Sequence, residues 1–159
     1  MYARDHALIA TPIGSIRIEG DDRQLARITI GVTGPAARGS SVVVRAAVEQ
    51  LAQWFAGERV AFDMPLMPPP TSRGAILRDG LIDVPFGKTV SYGDLARRLG
   101  SSARAIGQLC ARNPLPLVVP CHRVLNLDGG LGAYSAGQGP TTKSWLLAHE
   151  RRLTGEYLL

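Results

Sequence analysis

Residues 91–112 read SYGDLARRLGSSARAIGQLCAR, and their punctuation decides the architecture of the second half of this 159-residue chain. Ser91 and Asp94 make a capping box, S-x-x-D, for a helix predicted over 92–99 and stopped by Gly100. Ser101 or Ser102 can cap a second helix over 103–112, which must end at Asn113 because Pro114 disfavours helical geometry in the residue before it. Two short helices joined by a Gly-Ser turn predict a helix-turn-helix. On the second helix Ala103, Ile106 and Cys110 share one side, while Arg104, Gln108 and Arg112 recur at i, i+4 and i+8 on another. That polar ridge suits a DNA-reading face, although an ordinary solvated helical hairpin carries the same pattern.

Charge separates the two halves of the chain. Residues 1–70 hold seven arginines and seven acids, so the whole net charge of +5 lies in residues 71–159. Within it, residues 95–127 carry Arg97, Arg98, Arg104, Arg112 and Arg123 and no Asp or Glu. Such a block is an electrostatic footprint for a polyanion, and a planar guanidinium can bind phosphate bidentately or stack on a base. A solvated basic face is the competing reading.

The first half reads as a scaffold. Strand-like runs at 7–11, 15–19 and 25–30 are separated by Pro-Gly and Gly-Asp turns, and a helix predicted over 42–55 places Val44, Val48, Leu51 and Phe55 toward them. Four prolines between residues 64 and 70 make a stiff connector, so the expected organisation is a scaffold lobe over 1–66, a connector over 67–72 and a second lobe over 73–159. The second lobe opens with a helical segment near 75–83. With 45% apolar and 19% charged residues the chain can build a core, which excludes disorder and collagen-like classes. No apolar run approaches the roughly 18 residues of a membrane-spanning helix, and residues 1–6 contain no signal-like apolar region. The expected location is the cytoplasm, on the nucleoid of a prokaryote, or the nucleus of a eukaryote. Cys110 and Cys121 are expected as free thiols, Cys110 as a core residue, and His6 and His149 as structural or surface residues.

The chemistry concentrates after an apolar run at 115–119, where Pro120 is followed by Cys121, His122 and Arg123. Proline can start a helical turn, which would place Cys121 at a helix N-terminus that favours a thiolate. Neighbours in sequence rarely face each other, so His122 is expected to reach the cysteine through a water or a turn. On a last helix over 142–153, Leu146, Leu147, Glu150 and Leu153 share a face, aiming a carboxylate at the core. A buried carboxylate needs a partner. If that partner is His122, the set is a Cys/water/His/Glu relay in which Glu150 fixes the imidazole tautomer. Taken singly, Cys121 reads more simply as a structural thiol and Glu150 as the partner of an arginine. Gly129, Gly130, Gly132 and Gly137 surround Tyr134 and Ser135 in a loop able to approach a flat ligand.

From Asn113 to Val124 the chain reads N-P-x-P-x-x-x-P-C-H-R-V, and SYGDLA at 91–96, RAIG at 104–107, GAYS at 132–135 and WLLAHE at 145–150 accompany it. In these motifs the sequence resembles the O6-alkylguanine-DNA alkyltransferases, strongly from residue 88 onward and weakly through QLAQWFAGERVAFDMPL at 50–66. The resemblance implies an α/β (α+β) fold: a ribonuclease H-like lobe of a three-stranded sheet plus helix, then a helical lobe with the helix-turn-helix. It implies a single-turnover repair protein that transfers an alkyl group from O6 of guanine, with thymine O4 a second candidate, to Cys121. By the same likeness His122 and Glu150 form the relay, Tyr92 assists the leaving guanine by hydrogen bonding to its N3 or protonating it, and Asn113 ties the recognition helix to the active-site segment. Arg104 would fill the gap left by a flipped nucleotide, with Ala105, Gly107, Gln108, Arg112 and Arg123 also on the DNA side. Val124 and Ser135 would offer hydrogen bonds to the base, and Tyr134 and Pro116 would wall its pocket. The implied partner is double-stranded DNA entered through the minor groove by a monomer, with no cofactor, no metal and no membrane.

Departures from the family pattern are local. Ser72 and Arg78 stand where the family usually has Phe and Trp, Gly80 interrupts the same helix, and the loop near 138–140 is longer. Two other classes remain: a non-catalytic module that flips and flags lesions, which would lack the cysteine, and a sequence-specific helix-turn-helix regulator.

Overall fold

The computed structural model describes residues 4–155, and the chain divides into two compact units between Pro68 and Pro69. In the first unit β1 (Asp5–Ile9), β2 (Ile16–Gly20) and β3 (Leu25–Ile30) form an antiparallel sheet in that order. The first two strands sit up to two residues from their predicted positions. The Thr11–Gly14 turn, closed by Gly14 N–H donating to Thr11 O at 3.1 Å, fixes Ile9 opposite Ile16 and Asp5 opposite Gly20.

Helix α1 (Val42–Phe55) packs on this sheet with the predicted bounds but a rotated face. Val43, Val44, Ala47, Leu51 and Trp54 are buried, whereas Val48 and Phe55 are only half-buried. Burying the indole of Trp54 outweighs burying Phe55 and turns the helix accordingly. The start of α1 is capped from a distance: Asp5 accepts from Ser40 and Ser41 N–H at 2.6 and 2.8 Å, and Asp22 accepts from Val42 N–H at 2.8 Å. The proline-rich segment is partly integrated into this unit. Leu25 donates to Pro65 O and Met67 donates to Leu25 O, both at 2.8 Å, so Met67, expected in the connector, pairs with the strand.

The second unit contains α2 (Ser72–Ile82), β4 (Val90–Ser91), α3 (Tyr92–Arg98), α4 (Ala103–Ala111), a 3-10 turn (Cys121–Arg123), β5 (Val124–Leu125) and α5 (Pro140–Thr154). The caps of α3 and α4 follow the sequence signals, Ser91 accepting from Asp94 N–H and Ser102 from Ala105 N–H, whereas α2 starts three residues earlier than expected because Thr71 caps it by accepting from Gly74 N–H. Gly80 has a packing cause, since a Cβ there would lie 2.4 Å from Leu99 Cδ2. Helix α2 therefore approaches the end of α3 closely.

One unpredicted element positions the site. β4 and β5 pair in parallel, Val90 with Val124 and Ser91 with Leu125, joining the start of the helix-turn-helix to the segment that leaves Cys121. Among the described residues no helix is long and apolar enough to cross a membrane.

Candidate active site

Asn113 builds the bed on which Cys121 lies. Just beyond α4, its Oδ1 accepts from Leu115 N–H at 2.9 Å, and its Nδ2 donates to Val119 O at 2.9 Å and to Cys121 Sγ at 3.3 Å. The segment between is buried and tightly wound. Val119 N–H donates to Leu115 O, and Leu117 takes a left-handed φ of 77°, a strained conformation for a branched side chain that its enclosing contacts must hold. Pro116, also buried, bridges to Val119 in this segment.

Cys121 is 3% exposed and opens a 3-10 turn of three residues, too short to sum a macrodipole. The expected helix-terminus support for a thiolate is therefore replaced by other groups. Besides the Asn113 amide, Cys110, on the last turn of α4, and Lys143 are the groups that act on the charge of Cys121. The two thiols titrate as a pair. Cys110 is lowered by its interaction with Cys121 and by the Lys143 charge, whereas Cys121 is pushed well above the usual thiol range by Cys110 and by burial, against the pull of Asn113 and Lys143.

The next two residues of the turn dock on one carboxylate. His122 Nε2 lies 2.6 Å from Glu150 Oε2, and Arg123 donates through Nε to Oε1 at 2.9 Å and through its second terminal nitrogen to Oε2 at 3.0 Å. Gly87 N–H donates to Oε1 at 2.9 Å, and Arg123 also donates to Val84 O at 2.7 Å. Burial alone would raise the Glu150 pKa, but the hydrogen bonds from His122 and Arg123 and the Arg123 charge reverse this and hold it at about 2. For His122 burial dominates. Its pKa is pushed down even against the pull of Glu150, with Arg123 and Lys143 adding to the fall, so the imidazole is neutral at pH 7.

Sequence reasoning foresaw the His122–Glu150 pair; the arginine partner of Glu150, which it had weighed as the simpler alternative, is present as well. Arg123 thus differs from its expected place on the DNA side. It is 6% exposed, and its guanidinium is committed to Glu150 and Val84 inside the unit. By contrast Arg104, Gln108 and Arg112 are all exposed along α4, and Ala105 and Gly107 lie between them, half-buried. A Cβ at Gly107 would meet only open space.

Tyr92, at the first position of α3, is raised to about 12 by burial and by its closeness to the two thiols. Tyr134 is raised further by the same causes, and its Oη is buried with no hydrogen-bond partner among the described residues. Ser135 is exposed and donates weakly to Cys110 O at 3.4 Å. Val124 is buried, its carbonyl accepting from Lys143 Nζ at 2.6 Å.

A family model described as the DNA binding domain of 6-O-methylguanine DNA methyltransferase matches residues 77–152. A methylated-DNA--protein-cysteine methyltransferase of Mycolicibacterium paratuberculosis is 37% identical, the match covering 93% of each chain. The chain belongs to the methylated-DNA--protein-cysteine methyltransferase family. The crystal structure of Mycobacterium tuberculosis OGT in complex with DNA superimposes with a TM-score of 0.80 at 32% identity over 93% of each chain. A relative from Thermus thermophilus named a DNA base-flipping protein is 39% identical over 91% of this chain and 99% of its own.

Three residues of this family member escaped the sequence reading. Lys143 is fully buried, donates to Val124 O and Ala133 O, and sits 5.9 Å from the Tyr92 ring centroid. Its signal was available: Lys143, Leu147 and Glu150 fall at i, i+4 and i+7, on the face already assigned to the core. Gly87, holding Glu150 with a φ of 81°, and Cys110, read only as core, gave no such signal because their partners are distant in sequence. His149 is buried and stacked on Trp145 at 5.1 Å, a structural role, whereas Leu153, expected on the buried face, is 43% exposed.

Proposed function

We propose that this protein repairs DNA by transferring an alkyl group from O6 of guanine to Cys121 Sγ, once per molecule. The observation that carries the reading is the single cradle in which Asn113 grips Cys121 while His122, the next residue, is fixed on an ionised Glu150. Family membership supplies the substrate class, and the alkyl carbon brings its own electrophilicity, so no cofactor is required.

The geometry supports the following roles. Neutral His122, with Nε2 committed to Glu150, receives the thiol proton at Nδ1, and the resulting imidazolium is stabilised by Glu150. The thiolate attacks the alkyl carbon in line with the departing oxygen. A sulfur–carbon bond forms, the carbon–oxygen bond breaks, and its electron pair goes to the guanine. Tyr92 supplies a proton to the base as negative charge develops. Its raised pKa keeps the phenol protonated until then. Tyr134 and Pro116 wall the base, and Val124 and Ser135 meet its polar edge.

DNA approaches the exposed Arg104, Gln108 and Arg112 ridge, entered from the minor groove by a monomer. Ala105 and Gly107 keep that helix slim, and Arg104 occupies the space vacated by the flipped nucleotide, an extrusion that costs a few kcal/mol. Binding is then tolerant of sequence and sensitive to salt. The protein works wherever its DNA lies, on a nucleoid or in a nucleus.

The test is an intact mass and peptide map after incubation with duplex containing O6-methylguanine. A methyl group on the tryptic segment 113–123, absent in Cys121→Ala, is expected. Tight lesion binding with no transferred methyl would assign the chain to the base-flipping class instead.

A further inference from the structure

Arg97, Arg98, Arg104 and Arg112 of the acid-free block 95–127 are exposed, whereas Arg123 is buried. A buried guanidinium persists only where its charge and its donors are answered. Glu150 answers both. Arg123 Nε donates to Oε1 at 2.9 Å and to Oε2 at 3.2 Å, and Nη2 donates to Oε2 at 3.0 Å. Its Nη1 donates to Val84 O at 2.7 Å, and the Phe86 ring centroid lies 5.7 Å from Cζ. Each carboxylate oxygen meets a further group: Gly87 N–H donates to Oε1 at 2.9 Å, and His122 Nε2 lies 2.6 Å from Oε2. The arginine and the backbone amide thus hold the carboxylate in the orientation that presents Oε2 to the imidazole.

The same contacts set a proton balance. The charges of Arg123 and Glu150 cancel, so with a neutral His122 the buried set has no net charge. Without the guanidinium, burial would press a proton onto the carboxylate, and the imidazole would lose a cation that opposes its protonation. Either way the pair would already hold a proton and could accept none. The other groups facing the pair do not replace Arg123. Lys143, from α5, acts on His122, but its ammonium is committed to Val124 O and Ala133 O; Gly87, from the segment before β4, offers an uncharged N–H.

We propose that Arg123 is a positioning residue for alkyl transfer, whose two-nitrogen grip on Glu150 keeps the His122–Glu150 pair empty at neutral pH, ready for the proton that leaves Cys121. That this proton comes from Cys121 rests on the function proposed above; the charge balance among Arg123, Glu150 and His122 does not. The proton passes from Sγ to the imidazole, the sulfur–carbon bond forms, and the carbon–oxygen electron pair departs with the guanine, so no further reactant is needed. Removing Arg123 makes the pair more basic. Its cost therefore falls at low pH and fades at high pH, where the pair empties again.

The experiment follows the imidazole nitrogen NMR shifts of His122 in the full chain from about pH 5 to about pH 9, with exposed His6 as the reference. Single-turnover transfer from a free O6-alkylguanine base is measured over the same range, in wild type, Arg123→Met and Arg123→Lys. Wild-type His122 is expected to be neutral at pH 7. In Arg123→Met the pair should protonate, and the acid limb of the transfer rate should move up, by about 1–3 pH units, while the rate at about pH 9 approaches that of the wild type. Arg123→Lys keeps the charge but loses the planar fork, so a smaller shift in the same direction is expected; it carries the test if the methionine variant does not fold. An imidazolium at pH 7 in the wild type overturns the proposal whether or not either variant folds. So does a variant rate that is unchanged, or that falls by the same factor at every pH, as loss of packing alone would give. A moved His122 titration in variants of a protein that never accepts methyl would keep the charge balance and remove the transfer reading.

Discussion

Glu150→Gln probes the buried hub of this protein, and its cost can be worked from the structure. The substitution keeps the side-chain shape and removes one negative charge, leaving the Arg123 guanidinium, 7% exposed, beside a neutral imidazole. Glutamine stands in for the protonated acid. Folding moves the Glu150 pKa from 4.5 to about 2, which at about 1.4 kcal/mol for each pH unit corresponds to about 3 kcal/mol. Breaking a buried ion pair by removing one partner costs about 3–5 kcal/mol, so the two estimates agree. The sign follows from the folded value being the lower one. The stabilisation is complete above the unfolded pKa and is lost as pH falls toward the folded pKa, over the window from 4.5 to about 2. Urea unfolding followed by far-UV circular dichroism should give a gap between wild type and variant of about 3 kcal/mol at neutral pH, falling by roughly half at about pH 3.5. A gap under about 1 kcal/mol, or one that stays constant on acidification, would refute the reasoning.

Asn113→Ala leaves Leu115 N–H and Val119 O to find new partners and frees Cys121 Sγ; a loss of about 1–3 kcal/mol in urea unfolding is expected, with slower methyl transfer from damaged duplex. Gly87→Ala imposes a φ of 81° on an L side chain and puts its Cβ 2.4 Å from Thr154 Cγ2, so about 1–3 kcal/mol should be lost, whereas an unchanged midpoint would show that the loop rearranges freely. Lys143→Met removes the cation that acts on both sulfurs, so the pH at which the thiolate absorbs near 240 nm should rise relative to wild type, and a downward move would contradict the electrostatic assignment. Arg104→Ala should slow repair of duplex far more than reaction with a free O6-alkylguanine base; equal slowing would count against its place in the vacated stack.

Local rules carried the sequence a long way. Ser91 and Ser102 cap helices because a short hydroxyl side chain satisfies an orphan amide two or three residues on, a relation contained in the sequence itself. The Arg104, Gln108 and Arg112 ridge and the inward aim of Glu150 followed from helical periodicity, which likewise needs no distant partner. Tertiary structure decided what depends on residues far apart in the chain. It turned α1 toward Trp54, drew Arg123 off the polyanion footprint onto Glu150, paired two-residue strands across 34 positions of chain from Val90 to Val124, and set the Asn113 amide against Cys121. Each outcome is a competition among possible partners for one buried group, settled by desolvation: a buried arginine takes the partner that packing presents, and spacing along the chain does not say which that will be.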